Sequence, residues 1–291
     1  MLVPSSSLRA AITAHTPLRF DPTSAHPHEP FVPIAPPPIP KHPLLTTLKL
    51  TPPRPEDAPI LLATLNDPTV FPGMRSIPYP LQLEGVAVLL EKARVAGEEV
   101  LGQWERGEWG RAADAFPFSA IRGVGASGGE EWIGGLSLRR WPYDEVDDPE
   151  EKARKVEEMK DYDNNDPRIL RTMGCKSLLC PSPHSAPDAN LLYSRLLYFA
   201  VYLHPSHQGL GIMSLVLRAF IDSYLVPVVH AHHLRATVYT WNRASRRVFE
   251  KCGWRVRGSN WVNTGPGRGE RRAEEWWIEW RRDEKIESRV E

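Results

Sequence analysis

The chain has 291 residues, enough for one large domain or two small ones, and its 36 basic residues balance 36 acidic ones. This balance argues against nucleic acid or an anionic membrane as the partner. Three cysteines are too few for a disulfide framework, and no apolar run approaches the about 20 residues that span a bilayer, so we expect a soluble, cytoplasmic protein, with the nucleus as an alternative compartment.

Residues 1–44 are rich in proline, as in the run PHEPFVPIAPPPIPKHP, and show no sustained helical or strand period. We expect a disordered or strap-like tail of extended, polyproline-like backbone outside the main fold. Arg9, Arg19 and neighbouring serines and threonines, without an acid, resemble an organelle transit peptide and leave a mitochondrial location as the alternative.

The folded domain is expected over residues 45–281. Its first part reads as a β-strand, two helices and a hairpin whose glycines suit a turn. The expected bounds are a strand over 46–51, a helix with Glu56 and Asp57 in its first turn, a helix over 83–96, and strands over 116–122 and 132–139.

Residues 142–190 are charged and only partly helical in period, and they predict a surface insertion. Regular elements follow: strands over 191–203, 234–241 and 274–280, and helices over 212–226 and 244–252. A strand, a helix and a strand in this order predict a parallel strand pair. The expected class is a mixed α/β fold whose sheet is antiparallel early and locally parallel late, followed by a charged tail over 282–291.

The sequence QGLGIM, Gln208 to Met213, lies between an apolar strand and an amphipathic helix. Backbone amides and the helix dipole converge at such a point and suit a phosphate group. The motif resembles the Q/R-x-x-G-x-G/A signature with which acetyltransferases of the GNAT superfamily bind the pyrophosphate of acetyl-CoA. The run NRASRRVFEKCGW, Asn242 to Trp254, resembles the second signature of that superfamily. Its serine and its EKCGW ending resemble the branch that acetylates ribosomal-protein N-termini.

The resemblance covers most of residues 45–280, except the insertion, and implies a GNAT-like fold with acetyl-CoA as co-substrate. Gly209 and Gly211 would give the diphosphate access to the backbone. The resemblance implies Val201 and Leu203 as backbone partners of the pantetheine arm and the acetyl carbonyl, with the Leu203 amide facing the developing oxyanion. The remaining cofactor residues that it implies are Gln208, Leu210, Ile212, Met213, Ser214, Asn242 and Phe249. Asn242 is also a good helix N-cap.

Two positions depart from the usual pattern. Met213 stands where the signature has glycine or alanine, and Phe249 stands where many relatives carry a tyrosine that protonates the departing thiolate. Because phenylalanine has no proton to donate, Ser245 is the substitute, and it is expected to hydrogen-bond the sulfur, while water could protonate the thiolate.

The implied reaction is direct attack of a primary amine on the acetyl thioester. The amine could be a protein N-terminus, a polyamine, an amino sugar or another small amine, and the sequence gives no oligomeric state. The candidate bases are His204, His207, Tyr198, Tyr202, Tyr239 and Glu84. A non-catalytic binding or scaffold protein with the same fold is the alternative, favoured by Met213 and Phe249.

Two groups of possible metal ligands occur in the sequence. His230, His232 and His233 have no cysteine or carboxylate at ligand spacing, and Cys175, Cys180 and His184 do not have a zinc-site spacing. We therefore expect no metal.

Overall fold

The computed structural model describes residues 4–74, 77–108, 116–125, 128–136, 138–140, 148–151, 153–154, 170–173, 201–264 and 272–282. It has a mixed α/β fold, which confirms the expected class. The helices are α1 (Ser6–His15), α2 (Ala58–Asn66), α3 (Leu83–Glu105), α4 (Ile212–Phe220) and α5 (Arg243–Lys251). The strands are β1 (Arg19–Phe20), β2 (Pro30–Pro33), β3 (Lys49–Thr51), β4 (Ala120–Val124), β5 (Glu130–Gly135), β6 (Leu138–Arg140), β7 (Leu170–Met173), β8 (Tyr202–Leu203), β9 (His233–Tyr239), β10 (Arg255–Asn263) and β11 (Arg272–Arg281).

The strands form two sheets. The first has the order β1-β2-β3-β4-β5-β8 and is antiparallel throughout. The second has the order β10-β11-β9-β7-β6, in which only β7 and β9 are parallel. Within the described part of the chain, no helix is long and apolar enough to cross a membrane.

The parallel pair differs from the expected one. We expected the strand that ends at Leu203 to pair with the strand near 234–241, but β8 pairs with β5, through Gly134 and Leu203. The partner of β9 is β7, which lies inside the segment expected to be a surface insertion. Residues 170–173 are therefore part of the sheet. A four-residue strand in a charged segment gives no periodicity signal of its own, which explains the error.

The N-terminal segment packs onto the core. Helix α1 begins at the N-cap Ser5, whose side chain accepts a hydrogen bond from the Leu8 amide. Leu8 and Ile12 are buried, and Val32 of β2 lies opposite Leu50 of β3. The expectation of an extended, polyproline-like segment was wrong for α1. With only two buried residues, this helix has a weak periodic signal in the sequence, and tertiary packing stabilises it.

Six charged side chains form a charge cluster beside the first sheet. Arg54 contacts Glu29 at 2.6 Å and Glu130 at 2.5 Å, and Lys49 contacts the other oxygen of Glu130 at 2.5 Å. Arg122 contacts Asp57 at 2.6 Å. Burial alone would raise the pKa of Glu130, but its bonds with Lys49 and Arg54 outweigh burial and lower it. The cluster joins the N-terminal segment to β3, β4 and β5.

Helix α4 presents one apolar face to the core. Ile212, Val216 and Phe220, spaced four residues apart, are fully buried. The helix continues as a π-helical turn over Ile221–Leu225, close to the expected end at Val226. The strand β10 was not predicted, since most of its residues are exposed and its apolar alternation is weak.

Candidate active site

A cleft of about 210 Å³ opens between β8 and β9, the two strands that the sequence pattern had predicted to pair. Its walls come from these strands, the start of α4, the first half of α5, the turn after α2, and β11. The described residues that line it are Thr69, Val70, Gly73, Met74, Val201, Tyr202, Leu203, Gln208, Gly209, Met213, Thr237, Val238, Tyr239, Asn242, Ala244, Ser245, Val248, Phe249 and Glu275.

The loop before α4 is held open by two glycines. Gly209 and Gly211 have φ angles of 76° and 80°, a left-handed conformation that strongly favours glycine. A Cβ atom at either position would meet nothing within 4 Å, so the space beside the backbone is open. Gly211 is the N-cap of α4, and such an opening lets a ligand approach the first amides of the helix.

The amides of this loop have few partners in the part of the chain that the structure describes. Among the described residues, the first amide at the start of α4 that donates a backbone hydrogen bond is Leu215, to the Gly211 carbonyl at 3.3 Å. The amides of residues 209–214 donate no such bond there. A run of amides at a helix N-terminus beside a cleft is suited to an anionic oxygen-rich group.

On the β8 side, Val201, Tyr202 and Leu203 line the cleft. The Leu203 carbonyl accepts a hydrogen bond from Gln208 Nε2 at 3.3 Å, and the His204 amide donates to the Ile133 carbonyl at 2.8 Å. These bonds fix the end of β8 against both the glycine loop and β5.

Asn242 begins α5 in the way the sequence predicted. Its Oδ1 accepts a hydrogen bond from the Ser245 amide at 3.0 Å, which makes it the N-cap. Its Nδ2 lies near the turn after α2, where a Cβ at Gly73 would come within 3.3 Å. Asn242 therefore caps the helix while its amide group faces another wall of the cleft.

Ser245 and Phe249 lie one turn apart on α5, and both line the cleft. Phe249 is buried, and its ring packs edge-on against Trp254 with centroids 5.0 Å apart. Nearby, burial raises the pKa of the Cys252 thiol to about 11, and the thiol donates to the Ser214 carbonyl at 3.3 Å. Cys252 is thus a packing group that joins α5 to the first turn of α4.

Eight of the twelve sequence-predicted site residues line the cleft. They are Val201, Leu203, Gln208, Gly209, Met213, Asn242, Ser245 and Phe249. Leu210, Gly211, Ile212 and Ser214 are not in the lining. Ile212 has its side chain in the core, so any contribution from it would come from its amide. Met213 is buried and forms part of the wall.

The candidate bases are scattered. His204 and His207 hydrogen-bond Ser206 at 2.7 and 3.1 Å, and His207 also contacts Glu131 at 3.3 Å, all outside the cleft lining. Glu84 is exposed at the start of α3.

Tyr202 and Tyr239 do line the cleft. Burial, and then the nearby Asp57 charge, raise the pKa of Tyr202 above its ordinary value. That phenol is therefore a poor proton acceptor at neutral pH. Tyr198 lies outside the described residues.

The sequence reading missed Glu275 and the wall contributed by residues 69–74. Glu275 lies in the run RRAEEWWIEW, and strand alternation places Glu274 and Glu275 on opposite faces. The alternation alone does not say which face is buried. The structure shows Glu275 to be 2% exposed.

No group of three or more metal-ligating side chains occurs among the described residues. His233 instead contacts Glu279 at 2.9 Å. The Cys175, Cys180 and His184 positions lie outside the described part.

The residues present suit acetyl-CoA. Gly209 and Gly211 leave open space beside the backbone at the start of α4, which fits a diphosphate. A cleft continues from this loop along β8 to Ser245 and Phe249, and it would accommodate a chain carrying a thioester.

Residues 139–255, about two fifths of the chain, match the family model described as acetyltransferase (GNAT) domain. Both sequence motifs, 208–213 and 242–254, lie inside the matched segment. This segment therefore matches a domain of the GNAT acetyltransferases, which are acyltransferases, and the resemblance drawn from the motifs is confirmed.

The chain is also similar to solved acetyltransferases. RimL, a ribosomal L7/L12 alpha-N-protein acetyltransferase, is 14% identical with a TM-score of 0.46, over 90% of this chain and 99% of that one. Spermidine N-acetyltransferase from Vibrio cholerae, solved with CoA and spermine, is 12% identical with a TM-score of 0.45, over 81% and 95%. A GNAT-family acetyltransferase from Bacillus anthracis is 14% identical with a TM-score of 0.47, over 82% and 96%. No curated protein matches the sequence.

Proposed function

We propose that the protein transfers an acetyl group from acetyl-CoA to a primary amine, on a protein N-terminus or a small molecule. The observation that supports this most is the glycine loop before α4, which borders the cleft at Gly209 and whose amides donate no backbone hydrogen bond among the described residues. The diphosphate would bind the amides of residues 209–214, since several donors converge there.

The rest of the cleft suits the thioester. The backbone of Val201 and Leu203 would guide the pantetheine arm, with the Leu203 amide near the acetyl carbonyl. Oxyanion donors of this kind stabilise a transition state by roughly 3 to 4 kcal/mol. The Asn242 amide would contact the arm while the residue caps α5. Ser245 would hydrogen-bond the sulfur, because a serine hydroxyl is too weak an acid to protonate a thiolate efficiently.

Calorimetric titration with acetyl-CoA tests the cofactor. We expect saturable binding well below 1 mM, the concentration that corresponds to about −4 kcal/mol. Thiol release would then be measured against peptides with free amino termini, polyamines and amino sugars. Absence of binding would overturn the proposal, and binding without thiol release from any amine would favour the non-catalytic alternative.

A matched pair of glycine variants locates the cofactor. Gly211→Trp and Gly107→Trp both place a side chain at a left-handed residue with open space around its Cβ, but Gly107 lies beyond the end of α3, away from the cleft. Both are expected to lose about 1 to 2 kcal/mol of stability from strain. We expect only Gly211→Trp to weaken acetyl-CoA binding, by about 100-fold or more. Equal affinities would place the cofactor elsewhere.

A further inference from the structure

Glu275 is a buried carboxylate in the wall of the cleft. It lies on β11, the strand between β9 and β10, where it is opposite Tyr239 on one side and Asn260 on the other. The residue is 2% exposed and borders the same cavity as Leu203 and Ser245.

The described lining offers few groups that could accept a proton. Its only ionisable side chains are Tyr202, Tyr239 and Glu275. A phenol is protonated near neutral pH, with an ordinary pKa of about 10, whereas a carboxylate is the natural acceptor. The histidines of the neighbouring loop are not in the lining. Glu275 is therefore the acceptor that remains among these residues.

A second glutamate on the same strand serves as an internal comparison. Glu279 lies four residues from Glu275, so strand alternation puts both side chains on one face, and it is 3% exposed. Its carboxylate contacts His233 at 2.9 Å and Arg235 at 2.7 Å, away from the cleft. Glu279 thus pairs with β9 away from the cleft, whereas Glu275 borders the cavity.

We propose that Glu275 receives the proton of the incoming ammonium group, an assignment that rests on the proposed acetyl transfer. One proton passes from the ammonium nitrogen to the Glu275 carboxylate. The freed lone pair then forms a bond to the acetyl carbonyl carbon. The carbon–sulfur bond breaks, and its electron pair leaves on the CoA sulfur. The nitrogen loses a second proton as the amide forms, the thiolate gains a proton through solvent, and Glu275 releases its own to water.

The test compares Glu275→Gln with Glu274→Gln, a neighbour on the opposite face of β11. Each variant is assayed for thiol release with the best amine of the panel, and for acetyl-CoA affinity by calorimetry. We expect Glu275→Gln to lower kcat by about 100-fold or more near neutral pH while acetyl-CoA affinity stays unchanged. Glu274→Gln is expected to stay within about twofold of the parent chain.

The pH profile separates a proton acceptor from a structural group. As pH approaches the amine pKa of about 10, the substrate loses its proton to water, so the gap between the parent chain and Glu275→Gln should narrow. A loss that is constant with pH would overturn the assignment, as would normal kcat in Glu275→Gln.

Glu275→Asp gives a second measurement where the glutamine variant folds poorly by circular dichroism. It retains the carboxylate, and we expect its kcat to be about 10-fold above that of the glutamine variant. Where the glutamine variant cannot be assayed, the kcat of Glu275→Asp should lie between those of the parent chain and an inactive protein. Normal kcat in both Glu275→Asp and Glu275→Gln would reject the assignment of Glu275 as the proton acceptor but not the acetyl transfer. Failure of the parent chain to turn over any amine would instead reject the acetyl transfer itself and the assignment with it.

Discussion

The charge cluster beside the first sheet and the cleft between β8 and β9 both bury polar groups, but with opposite arrangements. In the cluster, three acids and three bases contact one another at 2.5 to 2.6 Å. In the cleft, Gly209, Met213 and Glu275 line a cavity, and the amides of 209–214 donate no backbone hydrogen bond within the described residues. Polar groups that satisfy one another hold the architecture, whereas those that face a cavity are available to a ligand.

Breaking the cluster should have the largest effect on stability. Arg122→Met leaves Asp57 buried without its ion-pair partner, which we expect to lower the free energy of unfolding by about 3 to 5 kcal/mol in urea titrations. The control is Arg94→Met, since Arg94 is 37% exposed and pairs with Glu91 and Glu98 on the surface of α3. That loss should be below about 1 kcal/mol. Similar losses of stability for both variants would contradict the distinction between buried and exposed ion pairs.

The acetyl-CoA affinity of Arg122→Met tests the same comparison. Because the cluster lies outside the cleft lining, the folded fraction of this variant should bind acetyl-CoA as tightly as the parent chain does. A large loss of affinity at full folding would show that the two regions are coupled.

Glu279 extends the comparison to pH. Burial raises its pKa, but bonds from His233 and Arg235 outweigh burial and lower it from 4.5 to about 2. A carboxyl with a depressed folded pKa contributes stability above its unfolded pKa and loses it as pH falls. Unfolding free energy should therefore fall by on the order of 2 kcal/mol between pH 4.5 and pH 2, and Glu279→Gln should flatten this decline.

Turnover distinguishes the two glutamates of β11. At neutral pH, Glu279→Gln should be less stable than the parent chain but should retain kcat within about twofold once corrected for the folded fraction. Glu275→Gln is expected to keep the stability of the parent chain but to lose kcat. Loss of turnover in both variants would remove the functional contrast between the glutamate that borders the cavity and the one that lies away from it.

Asn242 both stabilises the fold as a helix cap and lines the cleft, and its substitution should have the smallest effect on stability. Asn242→Ala removes the cap on the Ser245 amide and is expected to cost about 1 kcal/mol of stability. Asn242→Ser retains a capping oxygen but loses the amide group that faces the cleft. We expect near-normal stability and weaker acetyl-CoA binding for the serine variant. Normal binding would limit Asn242 to capping.

Much of the cleft was predictable because its determinants are local. The glycines at 209 and 211, the helix that begins at Ile212, and the cap at Asn242 each depend on a few consecutive residues, which one short segment specifies. Helix α3 was predicted only to residue 96, and it extends to Glu105 because Val100, Leu101 and Trp104 find buried positions. That extension depends on the surface against which these three side chains pack.

The residues that the sequence reading missed depend on long-range register. Glu275 enters the cleft wall because β11 pairs with β9 at Tyr239, and the pairing of Arg122 with Asp57 joins residues 65 positions apart. A shift of one residue in strand register would turn Glu275 away and bring Glu274 to that face. No local pattern contains this information.

The sequence by itself determined the mixed fold class, the glycine loop and the start of both helices beside it, since glycine conformation, capping and helical period act over a few residues. Only the tertiary structure decided that β8 and β9 separate around a cleft, that β7 joins the second sheet, and which glutamate of β11 faces the cavity. Those outcomes follow from strand pairing and packing between segments far apart in the chain, where each contact is selected by the surfaces it joins.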